Sequence, residues 1–234
     1  MLNLSETRLP SYVPLLFLAT VFLVAFLVGV GFTKVGFDRR TTFLALAGWL
    51  GLSGVLAASG FFVASADGPP RFLLGVLPPM AVVVALVASP RTRELLASLP
   101  LAWVVGAQVF RVPVEIVLWE MGRAELVPAA MTFEGSNFDV VTGLSAPLVA
   151  MLCFRKGVRH QWLAAVWNVM GFGLLVNVVS IAVRTSPRFA APGTVTNRLP
   201  EIFPFAWLPY FLVPVALLGH LVTAVHLYRR ARVK

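Results

Sequence analysis

Long apolar runs broken by short polar, basic segments dominate the chain. A helix needs about 20 mostly apolar residues to cross a bilayer. Seven stretches approach that length, at residues 12–33, 42–64, 72–88, 95–119, 138–154, 162–183 and 203–228. Together they use most of the 234 residues and leave no room for a soluble domain. No 20–50-residue repeat of the solenoid kind is visible. The pattern predicts an all-α, polytopic membrane protein, a seven-transmembrane-helix bundle forming one domain over residues 1–234. Residues 1–11 hold Glu6 and Arg8, no basic cluster, and no A-x-A-like site after them. The first helix is therefore expected to stay in the mature protein and not to act as a secretory signal.

Composition agrees. Hydrophobic residues make up 59%, charged residues 12%, and mean hydropathy is +0.87. A soluble domain carries about 25% charge, so this chain lacks the polar surface to cover a soluble fold. Disorder is excluded, because it needs low hydrophobicity and high charge. One cysteine excludes an internal disulfide framework and a cysteine-based metal site.

The basic residues set an orientation. On one side of the predicted bundle lie Lys34, Arg39, Arg40, Arg91, Arg93, Arg155, Lys156, Arg159, Arg229, Arg230, Arg232 and Lys234. On the other lie Arg8, Arg71, Arg123, Arg184, Arg188 and Arg198. The richer side is expected in the cytoplasm, with the N-terminus outside and the C-terminus inside. This bias, facing anionic lipid headgroups, accounts for most of the net charge of +9. The basic residues form no single stripe, so membrane lipids are the expected partners and nucleic acid is not.

Charged residues at bilayer depth cost about 2.5–3.5 kcal/mol each on the insertion scale and survive facing a bundle interior. Gln108, Arg111, Glu115 and Trp119 share a face about 80° wide on the fourth predicted helix, at 100° per residue. Arg111 and Glu115 are four apart, the spacing of an ion pair along a helix. Either they neutralise one another as a structural pair, or Arg111 holds an anionic group and Glu115 moves a proton. The next loop reads Met131-Thr-Phe-Glu-Gly-Ser-Asn-Phe-Asp139. Asn137 or Asp139 suits a helix cap there; alternatively Glu134 and Asp139 line a pocket opposite Arg111. The spacing matches no EF-hand loop, and no metal is expected. Asn177 and Arg184 lie on one face of the sixth helix, and Tyr210 flanks the outer start of the seventh. All these groups fall toward the outer side, which predicts an outward-facing pocket or vestibule.

Other features have structural readings. Pro78, Pro79, Pro113, Pro147, Pro209 and Pro214 are expected to bend their helices. His220 and His226 lie on different faces, so they cannot share a haem, and packing histidines are expected. The three lysines sit in loops or at the terminus, which excludes a retinal Schiff base. No nucleotide-binding, zinc-protease or hydrolase fingerprint is present. No cofactor is expected.

The run Gln108-x-x-Arg111-x-x-x-Glu115-x-x-x-Trp119, with Met131-Thr-Phe-Glu-Gly-x-Asn-Phe-Asp139, resembles a family of uncharacterised bacterial seven-helix membrane proteins. Trp167-Asn168 and Trp207-Leu-Pro209 look similar too, so the resemblance covers about the C-terminal two thirds. It implies the bacterial cell (inner) membrane and supplies no activity. In size and helix number the chain is also similar to the integral-membrane terpene cyclases, which protonate an epoxide or alkene with embedded carboxylic acids.

Two functions follow as expectations. One is a protein of the transporter, receptor or assembly-partner kind that binds a small anionic or amphipathic ligand through Gln108, Arg111, Glu115, Trp119, Glu134, Asn137, Asp139, Asn177, Arg184 and Tyr210. The absence of obvious inverted repeats counts against a secondary transporter. The other is an intramembrane enzyme acting on a lipid or isoprenoid, with Glu115, Glu134 and Asp139 as candidate acids.

Overall fold

The computed structural model describes residues 9–64, 70–154 and 159–232. Arg8, Arg155, Lys156 and Lys234 of the charge count, and the stretch before Leu9, lie outside the described residues. Among the described residues every regular element is helical. The described residues form nine α-helices in order: α1 Tyr12–Lys34, α2 Arg39–Ala58, α3 Phe72–Ala88, α4 Pro90–Leu96, α5 Leu101–Ala107, α6 Arg111–Arg123, α7 Val140–Phe154, α8 Gln161–Arg184 and α9 Val213–Arg232. A 3₁₀ turn at Gln108–Phe110 joins α5 to α6, and a π turn at Leu208–Leu212 leads into α9.

Helices occupy each of the seven predicted stretches, but length divides them. Tyr12–Lys34, Arg39–Ala58, Leu101–Arg123, Gln161–Arg184 and Leu208–Arg232 are long and apolar enough to cross a membrane. The predicted third helix ends where foreseen, at Ala88, and then turns through 89° into α4, a pair that can count as a sixth span. The turn has a local cause. Ser89 precedes Pro90, and its backbone is extended at φ −67°, ψ 122°, the region a following proline favours. The sharp break thus falls at Pro90 and not at Pro78 or Pro79. α7 has 15 residues, about 22 Å at 1.5 Å per residue, shorter than the hydrocarbon layer.

The outside of the bundle carries large apolar side chains in the open. Val169, Leu15 and Leu144 are 71%, 66% and 64% exposed. In water such a belt would be an aggregation surface; against acyl chains it is the matching solvent. A multi-pass membrane protein is the class that this surface and these helices define.

Aromatic residues join the helices. Phe17 of α1 packs on Phe205, with ring centroids 5.2 Å apart. Trp207 donates its indole N–H to the Leu50 carbonyl at 3.1 Å and lies near Ser53 Oγ at 3.2 Å. Trp49 donates to the Tyr210 carbonyl at 2.9 Å, the region where the π turn displaces helical hydrogen bonds. Tyr12 reaches across from α1 to α6, its hydroxyl 2.5 Å from Glu120 Oε1.

Candidate functional site

The fourth predicted helix does present Gln108, Arg111 and Glu115 inward; all three are buried. Their partners differ from the expected i,i+4 pair. Arg111 forms its ion pair with Asp139, at the entry to α7. It also donates through Nε to Gln108 Oε1 at 3.1 Å and through Nη2 to His220 Nε2 at 2.9 Å. Glu115 is held by Asn137, whose amide nitrogen lies 2.8 and 2.9 Å from its two carboxylate oxygens. The planar fork of the guanidinium donates in several directions at once, so Asp139 and His220 from other elements share it with Gln108, while Glu115 is held by Asn137.

The hydrogen-bond roles fix the imidazole. A guanidinium has no acceptor, so His220 Nε2 must accept and the ring proton sits on Nδ1. Nδ1 then donates to Asn168 Oδ1 at 2.9 Å. The Asn168 amide turns back to the His220 carbonyl at 3.3 Å. A continuous chain runs Asn168–His220–Arg111–Asp139 across α8, α9, α6 and the start of α7. His220 is no packing residue near a helix end: it sits in mid-span, and with Asn168 it completes the site. Sequence reasoning assigned neither to it. The available signal was a polar residue at the centre of each of two apolar runs.

The loop before α7 is shaped by Asn137, which is fully buried. Besides Glu115, its amide donates to the Met131 carbonyl at 3.0 Å, and its side-chain oxygen accepts from the Asp139 N–H at 3.1 Å. Asn137 therefore combines the two readings of the sequence: it organises the helix entry and touches the charged cluster. Gly135 lets the loop close. A Cβ there would lie 2.2 Å from the Ala129 carbonyl oxygen.

Arg111, Glu115 and Asp139 form the floor of a cavity of about 830 Å³. Its walls are apolar: Val76 and Met80 of α3, Val114 and Leu118 of α6, Leu175 and Val179 of α8, and Leu212 of the π turn. Its mouth, at the end of the bundle holding the α2–α3 and α8–α9 connections, carries Arg71, Arg188, Arg198 and Glu201. Arg198 pairs with Glu201 at 3.0 Å, and the Arg71 guanidinium lies over the Phe61 ring at 5.6 Å. α3 and α8 face one another across the cavity, with Val76 and Met80 on one wall and Leu175 and Val179 on the other.

Seven of the ten sequence candidates are outside the cavity lining: Gln108 and Asn137 hydrogen-bond to its floor, and five others lie apart. Trp119 stacks on Phe133 at 5.8 Å, with the Arg123 guanidinium 4.9 Å above its ring. Glu134 is exposed. Asn177 donates to the Ser136 carbonyl at 2.8 Å. Arg184 is exposed and reaches only the Ser180 carbonyl of its own helix at 3.3 Å. Tyr210 is fully buried, donates to the Pro200 carbonyl at 2.8 Å, and presses its ring on Gly75. The polar candidates thus divide into one cavity floor with its supports and several separate helix contacts.

Residues 71–228, two thirds of the chain, match the family described as Domain of unknown function (DUF8737). The chain belongs to that family, and the match spans the whole cluster from Gln108 to His220. No curated protein and no solved structure matches the chain.

Proposed function

We propose that this protein is a seven-helix membrane protein that binds a small amphipathic ligand with an anionic headgroup. Its location is the bacterial inner membrane, with the N-terminus outside and the C-terminus in the cytoplasm. The observation that carries the reading is the cavity. Its volume falls in the range of about 300–1,000 Å³ of ligand sites, and such sites combine apolar walls with a few polar groups. The arginines at the mouth suit an anion. Arg111 suits one less well, because three of its N–H groups already serve Gln108, Asp139 and His220. The apolar part of the ligand points inward and the headgroup stays at the mouth.

The test is native mass spectrometry of the purified protein beside Val179→Trp, which fills the cavity without touching the polar floor. A lipid-like molecule retained by the wild type and lost in the variant supports the reading. A molecule retained equally by both places the ligand elsewhere and overturns it.

One observation favours an enzymatic alternative. Glu115 is a buried carboxyl in an apolar cavity, and among the described residues its side-chain donor is the Asn137 amide. Of the three candidate acids it suits proton transfer best: Glu134 lies away from the cavity and Asp139 is committed to Arg111. Unchanged lipid or isoprenoid turnover in Glu115→Gln membranes rejects this alternative.

A further inference from the structure

The cavity ends at a thin partition, and a second cavity begins behind it. This smaller space, about 90 Å³, lies in the opposite half of the bundle between α1, α4, α5 and α9. Phe110 lines both.

The two cavities also share two helix faces. Along the Leu101–Arg123 span, Val104 and Ala107 face the smaller cavity, and Val114 and Leu118 face the larger. The steps between them are those of one helical face, near 3.6 residues per turn. On the opposing span, Leu212 and Ala216 line the larger cavity, while Val215, Gly219 and Val222 line the smaller. Again the face is continuous. A single cleft therefore runs between these two helices and is pinched at one level.

The pinch is made by side chains against bare backbone. Gln108 lies so close to Gly219 that a Cβ there would come within 1.9 Å of its amide nitrogen. Its hydrogen bond to the Ala216 carbonyl is long, at 3.4 Å. Both pinch residues, Gln108 and Phe110, stand on the 3₁₀ turn. A 3₁₀ stretch inside a helix often marks a functional hinge, and π turns concentrate at functional sites. The opposing helix carries such a π turn at Leu208–Leu212.

We propose that this cleft is a transport path for the amphipathic anion and that Gln108 and Phe110 are its gate. The proposal rests on the reading of the large cavity as a ligand site. A rotamer change of these two side chains joins the cavities with little movement of the helices. The polar floor beside the gate gives a headgroup hydrogen-bonding partners at mid-membrane, where bare hydrocarbon offers none.

The experiment uses the full chain in sealed vesicles of phosphatidylethanolamine and phosphatidylglycerol. Cys153 is buried and the sole cysteine; it is replaced by Ser. One new cysteine is placed in the large cavity, Val213→Cys, or in the small one, Leu218→Cys. The probe is the impermeant anionic reagent methanethiosulfonate ethylsulfonate, added to one side at a time. With the gate intact, Val213→Cys reacts from the Arg71 side alone and Leu218→Cys from the opposite side alone. Adding Phe110→Ala or Gln108→Ala abolishes that sidedness, so each cysteine reacts from both sides. Phe110→Trp, which keeps the partition bulky, restores it. Unchanged sidedness in both opened variants overturns the gate, as does a Leu218→Cys inert from both sides. Protection of Val213→Cys by lysophosphatidylglycerol reads the ligand site separately: protection with unchanged sidedness leaves a binding protein without a path. No protection, with a Val213→Cys unreactive from either side, removes the ligand site itself.

Discussion

Arg111 is a buried cation whose every neighbour depends on it. Removing it leaves the Asp139 carboxylate buried without a counter-charge and His220 Nε2 without a donor. Breaking a buried pair by deleting one partner costs about 3–5 kcal/mol, most of it from the charge left behind. Arg111→Ala is therefore expected to melt far below the wild type in the same detergent. Arg111→Gln with Asp139→Asn is expected to recover a large part of the loss. A double-mutant cycle on thermal melts checks both expectations. Glu115→Gln should behave oppositely. It keeps an acceptor for the Asn137 amide and removes a buried ionisable group, so its melting temperature is expected to hold or rise. The inward stripe of Gln108, Arg111 and Glu115 was legible in the sequence because it depends only on helical spacing. The pairing was not. Asp139 lies 28 residues from Arg111, His220 lies 109 away, and no periodicity relates them. The i,i+4 spacing of Arg111 and Glu115 suggested a local pair, but each is taken by partners from other elements.

Elements show where backbone geometry overrides an apolar pattern. The apolar runs located all seven helical stretches, since each is dictated by local composition. The 89° turn at Pro90 and the two non-α turns were not legible in hydropathy, because they arise from hydrogen-bond spacing and steric clashes at single residues. Trp119 and Glu134 illustrate the same limit: shared direction on a helix or loop does not say which cavity a side chain meets. The loop that carries Asn137 and Asp139 depends on Gly135 touching the Ala129 backbone. Backbone cannot step aside as a flexible side chain can. Gly135→Ala is expected to cost about 1–3 kcal/mol through overpacking, with a lower melting temperature as the measurement. Asn137→Ala should lower it as well, since it strips Glu115 of its donor and the Asp139 N–H of its acceptor.

For the whole molecule, the charge bias makes a prediction about sidedness. Among the described residues, Lys34, Arg39, Arg40, Arg91, Arg93, Arg159, Arg229, Arg230 and Arg232 lie at the end opposite the cavity mouth. A C-terminal green fluorescent protein fusion is expected to fluoresce, as it folds in the cytoplasm. An N-terminal alkaline phosphatase fusion is expected to be active outside. Activity in the reversed pattern would place the mouth in the cytoplasm. The exposed apolar belt adds an independent expectation: outside detergent or lipid the chain should aggregate, which size-exclusion chromatography after detergent dilution checks.

The apolar walls of the large cavity change what concentration means for this protein. A ligand whose tail suits those walls also partitions into the bilayer and is already enriched there before it binds. Occupancy then follows the mole fraction of that molecule among the lipids, and adding more vesicles at fixed total ligand should empty the site by dilution within the membrane. Two membranes with the same free ligand in the surrounding water, but different solvent power for its tail, would fill the cavity to different extents.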